Sequence, residues 1–426
     1  MGSNADAGPA SPSSSADAGR PIPTAMPAAS RLRTCSIAAL AADPRLLAFN
    51  GAVMNAATGE LLFDRGASTA VSQGSVLKVL TAAAALNILG PDATLATRVF
   101  EGSQPGTIVL VGGGDPTISQ LPAGQESVYA GAPKLSALAD QVDDNYSSPI
   151  TTIVLDSSMW SVGDKWDATW KRSEQTTGYL SEVTALQVDG DRQDPKAQVS
   201  PRSTDPVMRA GRLFAEELGL DPDDVTFTSG TAVTTKPLLG VVNSQPMSVL
   251  INQMLVASDG TLAESIARVV SRSMGMGGTA VSLDQAISSA NSIYGVDTSG
   301  LTIHDGSGLS TANAVPPAFM AKFMIKVMQG ATNLNIIYNS LATAGKPGAL
   351  SNRFTGPNAI AKGAVIAKTG WLDTEYSLAG IINAADGTQL SFAFYAIGPG
   401  IKENAKAALD TLATGAFTCG GNTSNN

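Results

Sequence analysis

Histidine and cysteine are scarce in this chain of 426 residues, which has one of the first, His304, and two of the second, Cys35 and Cys419. A single imidazole excludes a multi-histidine metal centre and leaves one candidate for any Ser-His-Asp arrangement. His304 stands before Asp305-Gly306-Ser307-Gly308, a turn-forming run, and reads as a structural loop residue. Charge is sparse as well, at 15 % of residues, and the formal balance is −9. That sign argues against a nucleic-acid or anionic-membrane partner held by electrostatics. No apolar run approaches the roughly 18 residues that a bilayer-spanning helix needs. The start lacks a basic region followed by an apolar one, so no signal peptide is visible and the sequence reads as a mature or trimmed chain. Nothing in the composition calls for a cofactor.

What is present points to a packed protein. Hydrophobic residues make up 43 % of the chain, and the length suits two domains or one domain with a large insertion. Residues 1–34 are the exception. Runs such as Pro9-Ala10-Ser11-Pro12-Ser13 cannot bury enough surface to offset ordering entropy, so a flexible leader is expected there. The two cysteines sit near opposite ends, as a disulfide joining the termini of an exported protein would place them; two unrelated thiols of a cytosolic protein are the alternative.

Phe49–Met54 and Glu60–Phe63 flank Ala57-Thr58-Gly59 and read as a β-hairpin. A helix is expected from Val76 to Ile88, stopped by Leu89-Gly90-Pro91. From Asp92 the texture changes to buried strands at Thr107–Val111 and Ile150–Leu155 and amphipathic helices at Lys134–Val142 and Met208–Leu218. Trp160, Trp166 and Trp170 cluster in this stretch and suit a core or a domain interface. Residues 92–236 therefore read as an inserted α/β domain, dividing the main domain into 35–91 and 237–426. After helices at Met247–Leu255 and Thr261–Met274, the chain closes with Val365–Gly370, Ser377–Ile382, Gln389–Ala396 and the helical Ala405–Thr414. That order is strand, strand, strand, helix: an antiparallel sheet with a helix laid on it.

The chemistry gathers at Gln73-Gly74-Ser75-Val76-Leu77-Lys78, where a Gly-Ser turn opens a helix. Residues three apart share a helix face, so Lys78 stands one turn from Ser75. A serine hydroxyl is a weak nucleophile until a base takes its proton, and lysine can be that base only if burial or another cation lowers its pKa from about 10.4. Two further pieces follow in order: Ser258-Asp259-Gly260 and Lys368-Thr369-Gly370.

Together these resemble the S-x-x-K, S-x-N and K-T-G triplet of serine β-lactamases and penicillin-binding proteins. The long interval between Ser75 and Ser258 resembles the low-molecular-mass class C penicillin-binding proteins, as do Gly112-Gly113-Gly114-Asp115-Pro116-Thr117, Asp305-Gly306-Ser307-Gly308-Leu309-Ser310, and Ala344-Gly345 through Leu350 to Arg353. The resemblance implies an α/β (α+β) fold, a transpeptidase-like domain whose antiparallel sheet carries helices on both faces, with an inserted domain. It also implies a D-alanyl-D-alanine carboxypeptidase/endopeptidase acting on peptidoglycan stem peptides outside the cytoplasm, periplasmic or wall-associated, with β-lactams as inhibitors.

Roles follow from the same resemblance. Ser75 would attack the carbonyl and Lys78 accept its proton, kept neutral by the charge of Lys368. Ser258 would relay a proton to the leaving amine. Lys368 and Thr369 would hold the substrate carboxylate, Gly370 would admit close backbone approach, and the N–H groups of Ser75 and Trp371 would face the oxyanion. Asp115 and Arg353 would line the pocket for the peptide side chain. Gly260 departs from the motif, which has asparagine there, and a glycine cannot make that contact. Two other readings remain open, a wall-binding homologue without activity and a β-lactamase.

Overall fold

The computed structural model describes residues 1–2 and 32–425; most of the expected leader lies outside the described residues. The strands Glu375–Asn383 and Gln389–Ile397 are almost wholly buried, and their alternation divides two cores. Phe392, Phe394 and Ala396 point to one side and pack with Leu409, Leu412 and Ala413 of the helix Ala405–Cys419. Ala393 and Tyr395 point to the other, into a cluster with Val79 and Leu80 of the helix Lys78–Ile88 and Phe323 of the helix Pro317–Gln329. A period of two thus gives a sheet with helices on both faces. Its order is Gln389–Ile397, Glu375–Asn383, Val365–Leu372, Ala342–Thr343, antiparallel throughout. The hairpin of Ala48–Asn55 and Leu61–Arg65 runs beside it, with the Ala56 N–H donating to the Gln389 carbonyl at 2.9 Å.

A second sheet has five strands in the order Thr226–Ser229, Thr152–Asp156, Thr107–Val111, Ala96–Glu101, Leu238–Asn243. The first three are parallel, which requires crossovers, and the helices Leu135–Asn145 and Pro206–Glu217 lie in them. Val99, Ile108, Leu110, Leu138 and Phe214 make up the core between this sheet and those helices. The edge strand Leu238–Asn243 comes after residue 236, so the sheet takes a strand from beyond the interval read as the insertion.

Cys35 and Cys419 form a disulfide, and the short strands Cys35–Ser36 and Thr423–Ser424 pair in parallel beside it. His304 is an exposed loop residue whose backbone N–H donates to Asn313 Oδ1 at 2.8 Å. No described helix is long and apolar enough to cross a membrane.

One local expectation changes. The helix expected from Val76 begins instead as a 3-10 turn, Gly74–Leu77, and becomes α-helical at Lys78. Gly74 sits at φ 52°, and the tight turn closes with the Val76 N–H on the Gln73 carbonyl at 3.3 Å. A 3-10 turn eclipses residues i and i+3, which aligns Ser75 with Lys78.

Candidate active site

The eclipsed turn brings Lys78 Nζ to 2.9 Å from Ser75 Oγ. Lys78 is 1 % exposed, and its ammonium also donates to the Ser307 carbonyl at 2.6 Å. That carbonyl is fixed by the Asp305–Ser310 loop. Asp305 accepts from the N–H groups of Gly308 and Ser310, from Asn313 Nδ2 and from the Trp170 indole. Glu264 Oε1 accepts from the N–H groups of Gly306 and Ser307 at 2.9 and 2.7 Å. Gly308 is at φ 83°, and a Cβ there would lie 2.0 Å from the Gly74 carbonyl, so the loop and the Ser75 turn meet through a glycine.

Ser258 ends the helix Met247–Ala257 in the left-handed region, at φ 56° and ψ 37°. Asp259 then caps the helix Gly260–Ser273, accepting from the Leu262 N–H at 2.9 Å, and pairs with Arg192 at 2.7 Å, both side chains being almost fully buried. Tyr129 also donates to Asp259 at 2.9 Å. Burial would raise Asp259, but Arg192 and Arg202 overcome it and hold the carboxyl at about 2. The strand Val365–Leu372 brings Lys368 Nζ to 2.8 Å from Ser258 Oγ and 2.9 Å from the Thr369 carbonyl. A Cβ on Gly370 would fall 2.2 Å from Ser377 Oγ, 2.5 Å from the Gln73 carbonyl and 3.1 Å from Ser75 N. The close approach at this glycine is therefore to the serine turn itself.

Burial sets the charge state of both lysines. It lowers Lys78 to about 8, against the upward pull of Asp305, Asp259 and Glu264. It lowers Lys368 well below the ordinary lysine value, and the charge of Lys78 adds to that. The expected cause, a Lys368 charge keeping Lys78 neutral, is replaced by desolvation, and the repulsion weighs on Lys368.

These groups meet at a cleft of about 320 Å³ lined by Ser75, Lys78, Ser258, Gly260, Thr369, Gly370, Trp371 and Arg353. Arg353 faces it with a committed guanidinium, paired to Asp410 at 2.7 Å and donating to the Lys406 carbonyl at 3.0 Å. Asp115 does not reach the cleft. It is 2 % exposed and accepts from the Thr117 N–H and hydroxyl at 2.8 and 2.6 Å, and burial pushes it up to about 6. The glycines before it serve packing: a Cβ at Gly113 would lie 2.1 Å from the Ala96 carbonyl. Gly260 lines the wall in an ordinary helical conformation, and a Cβ there would meet Leu309 and Leu180 at 3.3 and 3.4 Å.

Sequence reasoning missed Glu174 and Tyr179, which line the cleft from the 92–236 stretch. Tyr179 meets Trp371 edge to face, with centroids 6.1 Å apart, and both rings are 42 % exposed. The only local signal is Gly178, left-handed at φ 105°, which turns the chain immediately before Tyr179. Glu264 was missed too; burial raises it to about 8, and Asp305 adds to the shift.

The D-Ala-D-Ala carboxypeptidase 3 (S13) family model matches residues 33–199 and 191–416. The chain is 36 % identical to carboxypeptidase DacB of Mycolicibacterium smegmatis, over 97 % of this chain and 90 % of that protein. The chain belongs to the S13 carboxypeptidase family. It is thus a serine-type D-Ala-D-Ala carboxypeptidase by family, and the class C penicillin-binding resemblance of its motifs is borne out. A D-alanyl-D-alanine carboxypeptidase of Actinomadura is 25 % identical over 84 % of this chain and 79 % of its own. Among solved structures, penicillin-binding protein 4 of Haemophilus influenzae superposes with a TM-score of 0.70 at 20 % identity, covering 86 % of this chain and 94 % of that one, which shows the shared fold.

Proposed function

We propose that Ser75 is the acyl-accepting nucleophile of a peptidase that removes the terminal D-alanine from peptidoglycan stem peptides. The observation that carries this reading is the pair of buried Ser–Lys contacts, Ser75–Lys78 at 2.9 Å and Ser258–Lys368 at 2.8 Å, on one cleft. Ser75 Oγ bonds to the carbonyl carbon of the penultimate residue and its proton passes to Lys78, whose lowered pKa leaves a share neutral near pH 8. The tetrahedral oxyanion lies against the Ser75 and Trp371 N–H groups, each worth roughly 3 kcal/mol by comparison with other acyl-transfer sites. As the C–N bond breaks, the proton reaches the leaving amine through Ser258, and D-alanine departs. Water then takes the acyl group, returning a proton to Ser75 Oγ. Thr369 and Lys368 hold the terminal carboxylate. The Tyr179–Trp371 pair and Glu174 form the outer wall, in place of the role first expected of Asp115.

β-Lactams would acylate the same serine; a penicillin-binding protein 4 structure from Haemophilus influenzae holds a β-lactam, and it shares this fold at 19 % identity. The disulfide favours an oxidising compartment, so the enzyme works outside the cytoplasm, periplasmic or wall-associated. Residues 92–236 act as an inserted domain that supplies the outer wall of the cleft. Gly260 favours a second reading, a wall-binding homologue with little turnover. Intact-protein mass after benzylpenicillin decides between them. A penicilloyl adduct on the native chain and none on Ser75→Ala supports the peptidase, and no adduct on folded native protein overturns it.

A further inference from the structure

One buried carboxyl of this region has no part in those steps. Glu375 is 1 % exposed and lies one tight turn after Trp371, paired with Leu372. The register sets Ser377 opposite both Gly370 and Tyr395, and strand alternation puts Glu375 on the same face as Ser377 and Tyr395. That face meets the turn before the nucleophile, where the Ser377 hydroxyl donates to the Gln73 carbonyl at 2.7 Å. Gly74 fits there only as glycine: a Cβ would lie 2.8 Å from Glu375 Oε1 and 3.1 Å from Trp371 N. Gly74 is thus clamped between the Glu375 carboxyl and the Trp371 backbone, one residue before Ser75. The side-chain amide of Gln73, Glu375 Oε1 and the Tyr395 hydroxyl are buried with no hydrogen-bond partner among the described residues.

We propose that Glu375 is a positioning residue for acylation: its uncharged carboxyl, packed on Gly74, holds the Gln73–Ser75 turn against Gly370–Trp371 so that both backbone N–H donors face the oxyanion, and its ionised form opposes that oxyanion. The inference rests on the proposed function and names a residue to which the family motifs give no role. Burial pushes Glu375 up to about 7, with Ser72 pulling the other way and Asp305 adding to the rise. Charged or titratable groups nearby are Tyr395 of the neighbouring strand, Lys368 of the strand before it, Lys78 of the helix, and Asp373 of the preceding turn, which pairs with Lys171. A carboxylate formed beside the N–H donors repels the negative charge that acylation develops.

The test is the second-order rate of acylation by a fluorescent penicillin, for the native protein and Glu375→Gln, from about pH 5.5 to 9.5 with melting curves alongside. Ionisation of Lys78 is common to both and cancels in their ratio. The expected ratio is within about twofold at pH 5.5 and on the order of tenfold in favour of Glu375→Gln at pH 9, where the native carboxyl is charged. A ratio constant across pH, whether unity or uniformly low, would overturn the proposal and leave Glu375 a packing residue. If the variant does not fold, carbon-13 NMR of labelled Glu375 in the native protein replaces it. A carboxyl midpoint coinciding with the fall in native acylation supports the proposal, and a midpoint elsewhere overturns it. A native protein acylated at no pH would overturn the proposed function as well, which keeps the two failures apart.

Discussion

The two sheets of this molecule are built to different standards. The four-stranded antiparallel sheet is covered on both faces, and Glu375–Asn383 is buried over all but its last residue. The five-stranded sheet has a core on one face, while Arg98 and Thr228 of its strands are exposed. A strand packed from both sides cannot shift without disturbing two cores, so side chains on it hold their positions closely. Lys368 and Glu375 are carried by the first sheet. The second carries no group of the Ser–Lys pairs; the stretch that includes it reaches the cleft through the short helix Ser173–Thr177, bearing Glu174, and the turn to Tyr179. Lys368 sits on the doubly packed sheet and Ser75, Lys78 and Ser258 on the turn and helix ends beside it, while the outer wall hangs on a connection, as expected where precision and variation must coexist.

The sharpest way to break this contrast is at its centre. Ser75→Ala is expected to lower penicillin acylation by more than about a thousandfold, read by adduct mass, with an unchanged melting temperature. Truncating the two cores comes next. Phe394→Ala and Phe214→Ala should each cost roughly 3–5 kcal/mol in denaturant unfolding. Only Phe394→Ala, in the doubly packed sheet, should also slow acylation of the folded fraction; equal slowing by Phe214→Ala would erase the distinction.

Proton uptake separates the regions further. Glu264 and Glu375 are raised to about 8 and about 7, so the folded chain holds protons that the unfolded chain has already lost, and stability falls as pH rises from about 5 to 8. Lys78, lowered to about 8, works the other way: stability recovers between about 8 and its ordinary value of 10.5. Lys368, lowered well below its ordinary value, works in the same direction as Lys78, so thermal melts across pH should show the fall from the two glutamates opposed by the rise from the two lysines. Glu264→Gln should flatten the descending part by about 1–3 kcal/mol, and Asp115→Asn only the portion near pH 6. The smallest effect expected is at Gly260. The nearest atoms a Cβ would meet are at 3.3 Å, so Gly260→Asn should fold and change peptide turnover by no more than about tenfold.

What could be read from sequence was local. The hairpin around Ala57-Thr58-Gly59, the strand Thr107–Val111 and the final strands carry their period and turn residues within a few positions, and the structure holds all of them. Ser75, Lys78, Ser258 and Lys368 were legible because they stand in short motifs, and the fold brings the four to one cleft. The start of the serine helix was misread because a 3-10 turn and an α-turn differ by hydrogen-bond partner, which side chains scarcely encode. Arg353 was assigned to the pocket and lines it with its guanidinium already committed, whereas Asp115 was assigned there without its burial in view. The first is claimed by Asp410, 57 residues later, and the second by its own turn. Tyr179 and Trp371 come together only in the fold; Gly178 marks a turn before Tyr179 but says nothing of its partner.

The disulfide carries a consequence for how the molecule is made. Cys35 precedes every strand of both sheets apart from the short one it opens, and Cys419 ends the last helix, 384 residues later. The native cross-link can therefore close only after the strands of both sheets have been synthesised and the chain has met an oxidant. Until then Cys35 waits as a free thiol, open to small-molecule disulfides or to another chain. Closure marks a chain that has passed Cys419, and a thiol that still reacts with alkylating reagents marks one caught before that point.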